Sequence, residues 1–427
     1  MRKHIKTLVN NPLVSGSIVI FLGGLLASFF SFLTNLVLSR NLTVSDYGAY
    51  VSIVSVVLLV VIPASSVVPA IVTLSGPYFA KNDSQSLKVL YFKFLKPISI
   101  LGLALTVLSV FFIREIGSFL HIKNQLLIIL SLIAVLGGYI GTVNLGFLQA
   151  RLSFKTISFA NIFSSAARLV FGFVLVIAGY GLGGAFTAFL IASLIALSVG
   201  FWALRDVIFQ KSTKKPQISY RSLIAHGIPS AVSILAINAL TSVDVILVKH
   251  FFPGPEAGLY AGLSLIGKVV FYLTAPITSV MFPVVVRKFN DNEDFNKIFV
   301  LSFGLVLLMS SAITAFYYLF PEFTVIFFLK KTEYLAITQH LVTYSVFIGV
   351  YSLVSLLMYL FLSLKKSWVA YLMLAFAALQ AVLISSYHND FSTIIGISIT
   401  VLSLLLFILL IYYGILTNKN NAKKKGS

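Results

Sequence analysis

The chain contains no cysteine. Disulfide frameworks, thiolate-held zinc, iron–sulfur clusters and thiol nucleophiles are therefore excluded. Charge is scarce as well. Asp, Glu, Lys and Arg make up 10% of the 427 residues, where a soluble domain carries about 25%. HExxH, P-loop and GxSxG motifs are missing, and the six histidines show no metal-ligand spacing. No pair of carboxylates falls within an apolar run, so there is no acid–base pair for an enzyme to use there. Gly179-x-Gly181-x-x-Gly184 has the letters of a dinucleotide fingerprint. It follows no soluble strand and reads as an outer turn, so it is rejected.

Hydrophobic residues, by contrast, make up 59% of the chain. Soluble domains of this length could not cover their surface with polar groups from such a composition. A bilayer core about 30 Å thick takes a helix of roughly 20 apolar residues. Twelve such runs are present, at 14–38, 49–75, 94–113, 126–149, 157–178, 184–204, 223–248, 258–285, 298–320, 341–363, 368–386 and 391–415. They are continuous rather than alternating, which excludes a β-barrel. The first follows Arg2, Lys3 and Lys6 and is too long for the core of a signal peptide, so it reads as an uncleaved helix. The fold class expected is an all-α polytopic membrane protein with about 12 transmembrane helices.

Lys and Arg number 31 against 12 Asp and Glu, a formal net charge of +19. In a soluble protein this would point to nucleic acid. Here the alternation of spans sorts the cations. With the N-terminus cytoplasmic, 23 fall in cytoplasmic segments, six on the opposite side, and two, Arg168 and Lys268, within spans. That asymmetry follows the positive-inside rule and puts both termini in the cytoplasm. The positive charge is thus topology and attraction to membrane lipid, with no nucleic-acid partner expected.

The longest cytoplasmic loop, 205–222, carries Lys211, Lys214, Lys215 and Arg221 and separates six spans from six. The expected organisation is an N-terminal six-helix bundle at 1–204, a basic linker at 205–222, a C-terminal six-helix bundle at 223–417 and a basic tail at 418–427. Segments 114–125 and 321–338 follow the third and ninth spans and read as short interfacial helices. The halves also repeat in sequence. Asn35-Leu-Val-Leu-Ser-Arg40 precedes Gly48-Ala-Tyr50, and Asp244-Val-Ile-Leu-Val-Lys249 precedes Gly258-Leu-Tyr260. Asp46 and Glu256 lie just before the two glycines. Parallel pseudo-symmetric halves are a transporter architecture, with the site in a central cavity near midplane.

Arg168 lies thirteen residues past Lys155, about 20 Å along a helix, and Lys268 lies ten past Gly258, about 15 Å. Cations at such depth face water, protein or an anionic ligand. One reading is a binding site for an anionic substrate; the other is a structural pairing between helices. Asp244 is the one acid within a span. It reads either as a group taking up a coupling ion or as a structural partner of Lys249, Arg40 or Lys268. Asn35, Asn144, Asn161 and Asn238 are candidates to line a hydrated path or to join helices by hydrogen bonds. Pro63, Pro69, Pro276 and Pro283 recur in corresponding spans and are candidate hinges.

Leu38-Ser-Arg-Asn-Leu-Thr-Val-Ser-Asp-Tyr-Gly-Ala-Tyr50, Phe147-Leu-Gln-Ala-Arg-Leu-Ser-Phe154, the segment from Asp244 to Lys268, and Met281-Phe-Pro-Val-Val-Val-Arg287 resemble polysaccharide-biosynthesis flippases. These are the Wzx-type transporters of the multidrug/oligosaccharidyl-lipid/polysaccharide (MOP) superfamily. The resemblance implies two six-helix bundles around a cationic cavity, with Arg168 and Lys268 as the matching cations. It also implies an undecaprenyl-pyrophosphate-linked oligosaccharide as substrate, moved to the outer leaflet of the bacterial cytoplasmic membrane for O-antigen, capsule or exopolysaccharide synthesis. Coupling to a proton or sodium gradient, no bound cofactor, and polysaccharide polymerase machinery as a partner are implied with it. Three rivals stand. A multidrug antiporter of the same superfamily would favour buried acids. A membrane polymerase or ligase would carry a large polar outer loop. A lipid II flippase more often has fourteen spans.

Overall fold

The computed structural model describes residues 12–211, 231–291 and 293–425, with backbone alone for 12–18 and 418–425. The basic N-terminal residues, most of the 205–222 linker, the start of the seventh span and the tail's side chains lie outside this range. Among the described residues every regular element is helical. The chain divides into two compact units, Met1–Ile234 and Leu235–Ser427.

In the first unit the helices are α1 (Pro12–Asn41), α2 (Val44–Ser65), α3 (Val68–Ala80), α4 (Ser84–Phe111), α5 (Ile113–Phe119), α6 (Gln125–Ala150), α7 (Phe154–Leu175), α8 (Gly181–Ala203) and α9 (Arg205–Ile208). The boundary between the units falls within α10 (Ala231–Ala239), and the second unit continues with α11 (Val243–Phe251), α12 (Gly254–Gly267), α13 (Val269–Asn290), α14 (Asn296–Leu319), α15 (Pro321–Leu329), α16 (Thr338–Ser363), α17 (Trp368–Ser386) and α18 (Phe391–Lys425). Among the described residues ten helices are long and apolar enough to cross a membrane, and α10 with α11 passes the same test as a pair bent at its break. One of the ten, Phe154–Ala203, has 50 residues, about 75 Å as a straight helix and far beyond a bilayer. It folds back at Gly179 (φ +92°) and Gly181 (φ +50°), backbone that glycine adopts without a Cβ penalty. Twelve passes result, as the hydropathy pattern requires. The rejected dinucleotide motif is this turn.

The internal repeat reappears in the packing. In the first unit α6 is central and touches α2, α3, α4 and α8, while α7 packs on α1 and α8. In the second, α16 is central and touches α12, α13, α14 and α18, while α17 packs on α11 and α18. Each contact in one unit has its counterpart in the other. Short helices α5 and α15 follow the third and ninth passes, where interfacial segments were expected. Asp46 and Glu256 stand in the first turns of α2 and α12, where carboxylates offset the free N–H groups of a helix start. Thr43 caps α2, with its hydroxyl donating to Asp46 Oδ2 and accepting from the Asp46 amide. The acids of the repeat are therefore helix-start residues.

Lipid offers no hydrogen bonds, so helices join through small residues and through side chains that bond across the contact. Tyr139 donates to Val60 O at 2.8 Å, Ser158 to Val19 O at 2.9 Å, Tyr317 to Ile266 O at 2.9 Å and Gln380 to Ser398 Oγ at 2.9 Å. Arg151 sits in the tight α6–α7 turn. It pairs with Asp206 at 2.9 Å and donates to Ala203 O, so it ties that turn to the end of α8.

The four prolines named as hinge candidates sit differently in the two units. Pro63 and Pro69 flank the α2–α3 interruption, but Pro276 and Pro283 lie inside α13, and the α12–α13 interruption falls at Lys268. The sharpest bend, 50°, lies between α10 and α11. No proline causes it. Thr241 and Ser242 donate three residues back, to Asn238 O and Ala239 O, and this tighter bonding redirects the axis.

Close approach of α6 to α3 gives a test. A Cβ at Gly146 would stand 2.8–2.9 Å from three Ile71 side-chain carbons, whereas one at Gly141 would meet only Leu197 Cδ2, at 3.6 Å. Gly146→Ala should lower stability by about 1–3 kcal/mol through overpacking, and Gly141→Ala should leave it unchanged. Thermal unfolding of the two detergent-purified variants against wild type checks this.

Candidate functional site

Arg168 stands on α7 and lines an open cavity of about 260 Å³ between α2, α6, α7 and α8. Its guanidinium carbon lies 5.4 Å from the centroid of Phe189 on α8. Its Nε is buried without a hydrogen-bond partner, and the described residues place no carboxylate in contact with it. The ring face offers a cation some compensation, but no counter-charge. Ser164, Ser165 and Ser193 share the lining. The site is thus cationic, half-buried and rich in donors, and the chemistry it lacks is an anion.

Asn144 and Asn161 line a second cavity of about 230 Å³ in the same unit. Asn144 is buried; its Oδ1 accepts from Tyr91 Oη at 2.6 Å while its Nδ2 has no partner. Asn35 does not share this role, since its amide donates to Ser31 O one turn back in α1. Asn238, on α10, is engaged within the protein.

In the second unit Asp244 is fully buried in the first turn of α11, just past the bend. A helix N-terminus favours a carboxylate there. Its Oδ2 accepts from Tyr260 Oη at 2.9 Å on α12 and from Tyr344 Oη at 3.1 Å on α16. Its Oδ1 is buried and unpartnered. Arg40, Lys249 and Lys268 are the structural partners the sequence suggests, and the hydrogen bonds to Oδ2 come from tyrosines. Nothing in the sequence could single out Tyr344, which is 100 residues away, although Tyr260 belongs to the repeat. Arg40 and Lys249 occupy the last turns of α1 and α11, where cations complement the carbonyl end of the helix dipole. Both have partners within the protein.

Lys268 lies at the α12–α13 interruption, where Asp244 acts on it electrostatically without a direct ion pair. The two in-span cations are therefore unequal. Lys268 shares its surroundings with an acid, and Arg168 does not. Glycines bring the second-unit helices together here: a Cβ at Gly267 would collide with the Tyr344 ring, and one at Gly262 with Tyr334.

Among curated proteins, none matches the sequence. Solved structures do match the fold. An inward-facing multidrug-resistance MATE transporter of the MOP superfamily superposes with a TM-score of 0.71 at 15% identity, covering 94% of this chain and 96% of that one. Lipid II flippase MurJ in an inward closed conformation gives 0.71 at 14%, covering 93% and 87%. A MOP superfamily transporter from Pyrococcus furiosus, described as having a binding pocket of reversed polarity, gives 0.61 at 15%, covering 96% of each. At such identities the likeness establishes the fold alone. The sequence profile described as polysaccharide biosynthesis protein matches residues 13–289. With more than half of its length matched, and with the twelve-pass repeat that carries the matching motifs, the chain belongs to the polysaccharide biosynthesis protein family.

Proposed function

We propose that the chain is a flippase for an oligosaccharide repeat unit linked through diphosphate to undecaprenol. It carries the unit from the cytoplasmic to the outer leaflet of the bacterial cytoplasmic membrane, for assembly into O-antigen, capsule or exopolysaccharide. The observation that carries this reading is Arg168: a cation within a membrane span, set in a cavity, with no carboxylate in contact. A buried charge of this kind costs several kcal/mol unless something answers it. A diphosphate headgroup answers it, and the same headgroup cannot cross hydrocarbon unaided. The polyprenyl tail stays in lipid while the headgroup moves. Lys268 is the second unit's own candidate contact for an anion in this reading. The protein carries out no chemistry; it exchanges one accessible state for another, and the ligand must bind both without locking either. Polymerase machinery on the outer side consumes what it delivers.

The family supports this over its rivals. A drug-exporting antiporter would want an acid where Arg168 stands. A polymerase or ligase would need a large outer loop, and the loops here are short. Asp244 is the group best suited to take up a coupling proton, having one free, buried carboxylate oxygen beside a helix bend. A purely structural knot of Asp244, Tyr260 and Tyr344 is the competing role.

In a host lacking the gene, the lipid-linked unit should accumulate on the cytoplasmic leaflet. Wild type should clear it, and Arg168→Gln should slow clearance at least about tenfold, or 1.4 kcal/mol, at equal membrane levels. Full clearance by Arg168→Gln would remove the anion site, and a lipid-linked unit already outside but unpolymerised would favour the polymerase. For coupling, proteoliposomes with an imposed pH gradient should show gradient-stimulated flipping by wild type. Asp244→Asn should flip at the unstimulated rate with or without the gradient. If stimulation persists in Asp244→Asn, the residue is structural.

A further inference from the structure

A groove opens between the ends of α7 and α8 on the side to which the distribution of cations assigns the cytoplasm. Its volume is about 490 Å³, and it is lined by Lys155, Thr156 and Phe159 from α7 and by Ser198, Val199 and Trp202 from α8. Lys155 stands in the first turn of α7 and Trp202 in the last turn of α8. Arg205, at the start of α9, lies over the Trp202 ring, 5.0 Å from its centroid. Two cations therefore border the opening, and the described residues pair neither with an acid. The first unit has two acids at this end, Asp83 and Asp206. Asp206 pairs with Arg151 at 2.9 Å, and Asp83 caps α4 by accepting from the Ser86 amide and hydroxyl.

Polarity falls with depth. Ser153 precedes α7 without a side-chain cap, and the Lys155 and Thr156 amides have no hydrogen bond among the described residues. Such free N–H groups add to the attraction of the two cations for an anion. One and two turns further into the span, Phe159 and Phe163 stack in parallel with centroids 5.6 Å apart, and both are exposed. Trp202 is 64% exposed. The groove is cationic at the membrane surface and aromatic below it, which complements a phospholipid with an anionic head above its acyl chains.

The second unit shows the same place closed. Its corresponding helices are α17 and α18. Trp368 opens α17, donates from Nε1 to Tyr412 Oη at 3.3 Å and meets the Tyr412 ring edge-on at 4.9 Å. An aromatic pair thus joins α17 to α18. In the first unit Lys155 stands at the helix start instead, and among the described residues no ring from α7 meets Trp202.

We propose that the groove binds one anionic phospholipid of the cytoplasmic leaflet, with a phosphatidylglycerol-type head. The phosphate lies between Lys155 and Arg205, the head's hydroxyls meet Thr156 and Ser198, and an acyl chain runs over Trp202 and Phe159. Basic pockets between spans on the cytoplasmic side suit anionic lipid heads. The lipid joins the ends of α7 and α8 as Trp368 and Tyr412 join those of α17 and α18. This site does not rest on the flippase reading.

The chain has two tryptophans, Trp202 and Trp368, so each can be left as the sole fluorophore. The full chain carrying Trp368→Phe is reconstituted in phosphatidylcholine bilayers, and phosphatidylglycerol with brominated acyl chains is the quenching probe. Against brominated phosphatidylcholine, it should occupy the site at Trp202 about tenfold more tightly. Lys155→Gln and Arg205→Gln should each lower that preference about fivefold, or about 1 kcal/mol per cation. Lys365→Gln with Lys366→Gln, an equal loss of charge at the corresponding turn of the second unit, should leave it intact. The chain carrying Trp202→Phe, reporting from Trp368, should show a preference close to one. If either Phe variant fails to fold, native mass spectrometry of the chain with both tryptophans replaces quenching. One phosphatidylglycerol should then survive delipidation and be lost with Lys155→Gln plus Arg205→Gln. The site is overturned if the two lipids quench Trp202 equally, or if Trp202 and Trp368 report the same preference, which is bulk surface charge. Displacement of phosphatidylglycerol by undecaprenyl diphosphate also overturns it, since the groove would then hold the polyprenyl lipid.

Discussion

A lipid interior supplies no hydrogen bonds and no counterions, and that constraint orders the whole molecule. It forces the backbone into helices, so that each peptide group is satisfied within its own span. It also makes every departure from helix and every buried polar atom costly, so such features persist where something compensates them. Among the described residues the compensations are specific. Glycines at positive φ turn α7 into α8. Thr43 caps α2, acids stand in the first turns of α2 and α12, and basic residues close α1 and α11. Tyrosine and serine hydroxyls tie one helix to the backbone of the next.

The same constraint explains what the sequence reveals and what it hides. Spans are legible because a helix that crosses lipid must be apolar along its length, and twelve runs can be counted without knowing any contact. The repeat is legible at α1–α2 and α11–α12 because the ends of helices demand particular residues. Long-range partners are hidden. Whether Arg168 has a carboxylate beside it depends on which helices surround α7, and no spacing along the chain encodes that. Asp244 looked like one half of a salt bridge because cations flank it in sequence; in space its oxygen meets two hydroxyls. The seventh pass bends without a proline among its described residues. The 50° bend there comes from a local change of hydrogen-bond register at Thr241 and Ser242, residues that carry no such signature.

Similar architecture in the two units makes their chemical difference informative. Position 35 in the first repeat is Asn where the second has Asp244, and Tyr50 stands where the second has Tyr260. The Tyr260 hydroxyl donates to the acid, whereas the Tyr50 hydroxyl is buried without a partner. The matching position is thus an acid in one unit and an amide in the other.

The polarity of what remains unsatisfied follows the same division. Setting aside hydroxyls, which can donate or accept, the unpartnered buried atoms of the first unit are donors, Arg168 Nε and Asn144 Nδ2. Those of the second are acceptors, Asp244 Oδ1 and Gln380 Oε1. A donor awaits an anion or a carbonyl, and an acceptor awaits a proton or a cation. A single substrate could not relieve both. Two ligands of opposite sign could, each binding in its own unit and each favouring whichever conformation completes its partners. Among the described residues the unsatisfied atoms thus differ in kind between the units, donors in the first and acceptors in the second.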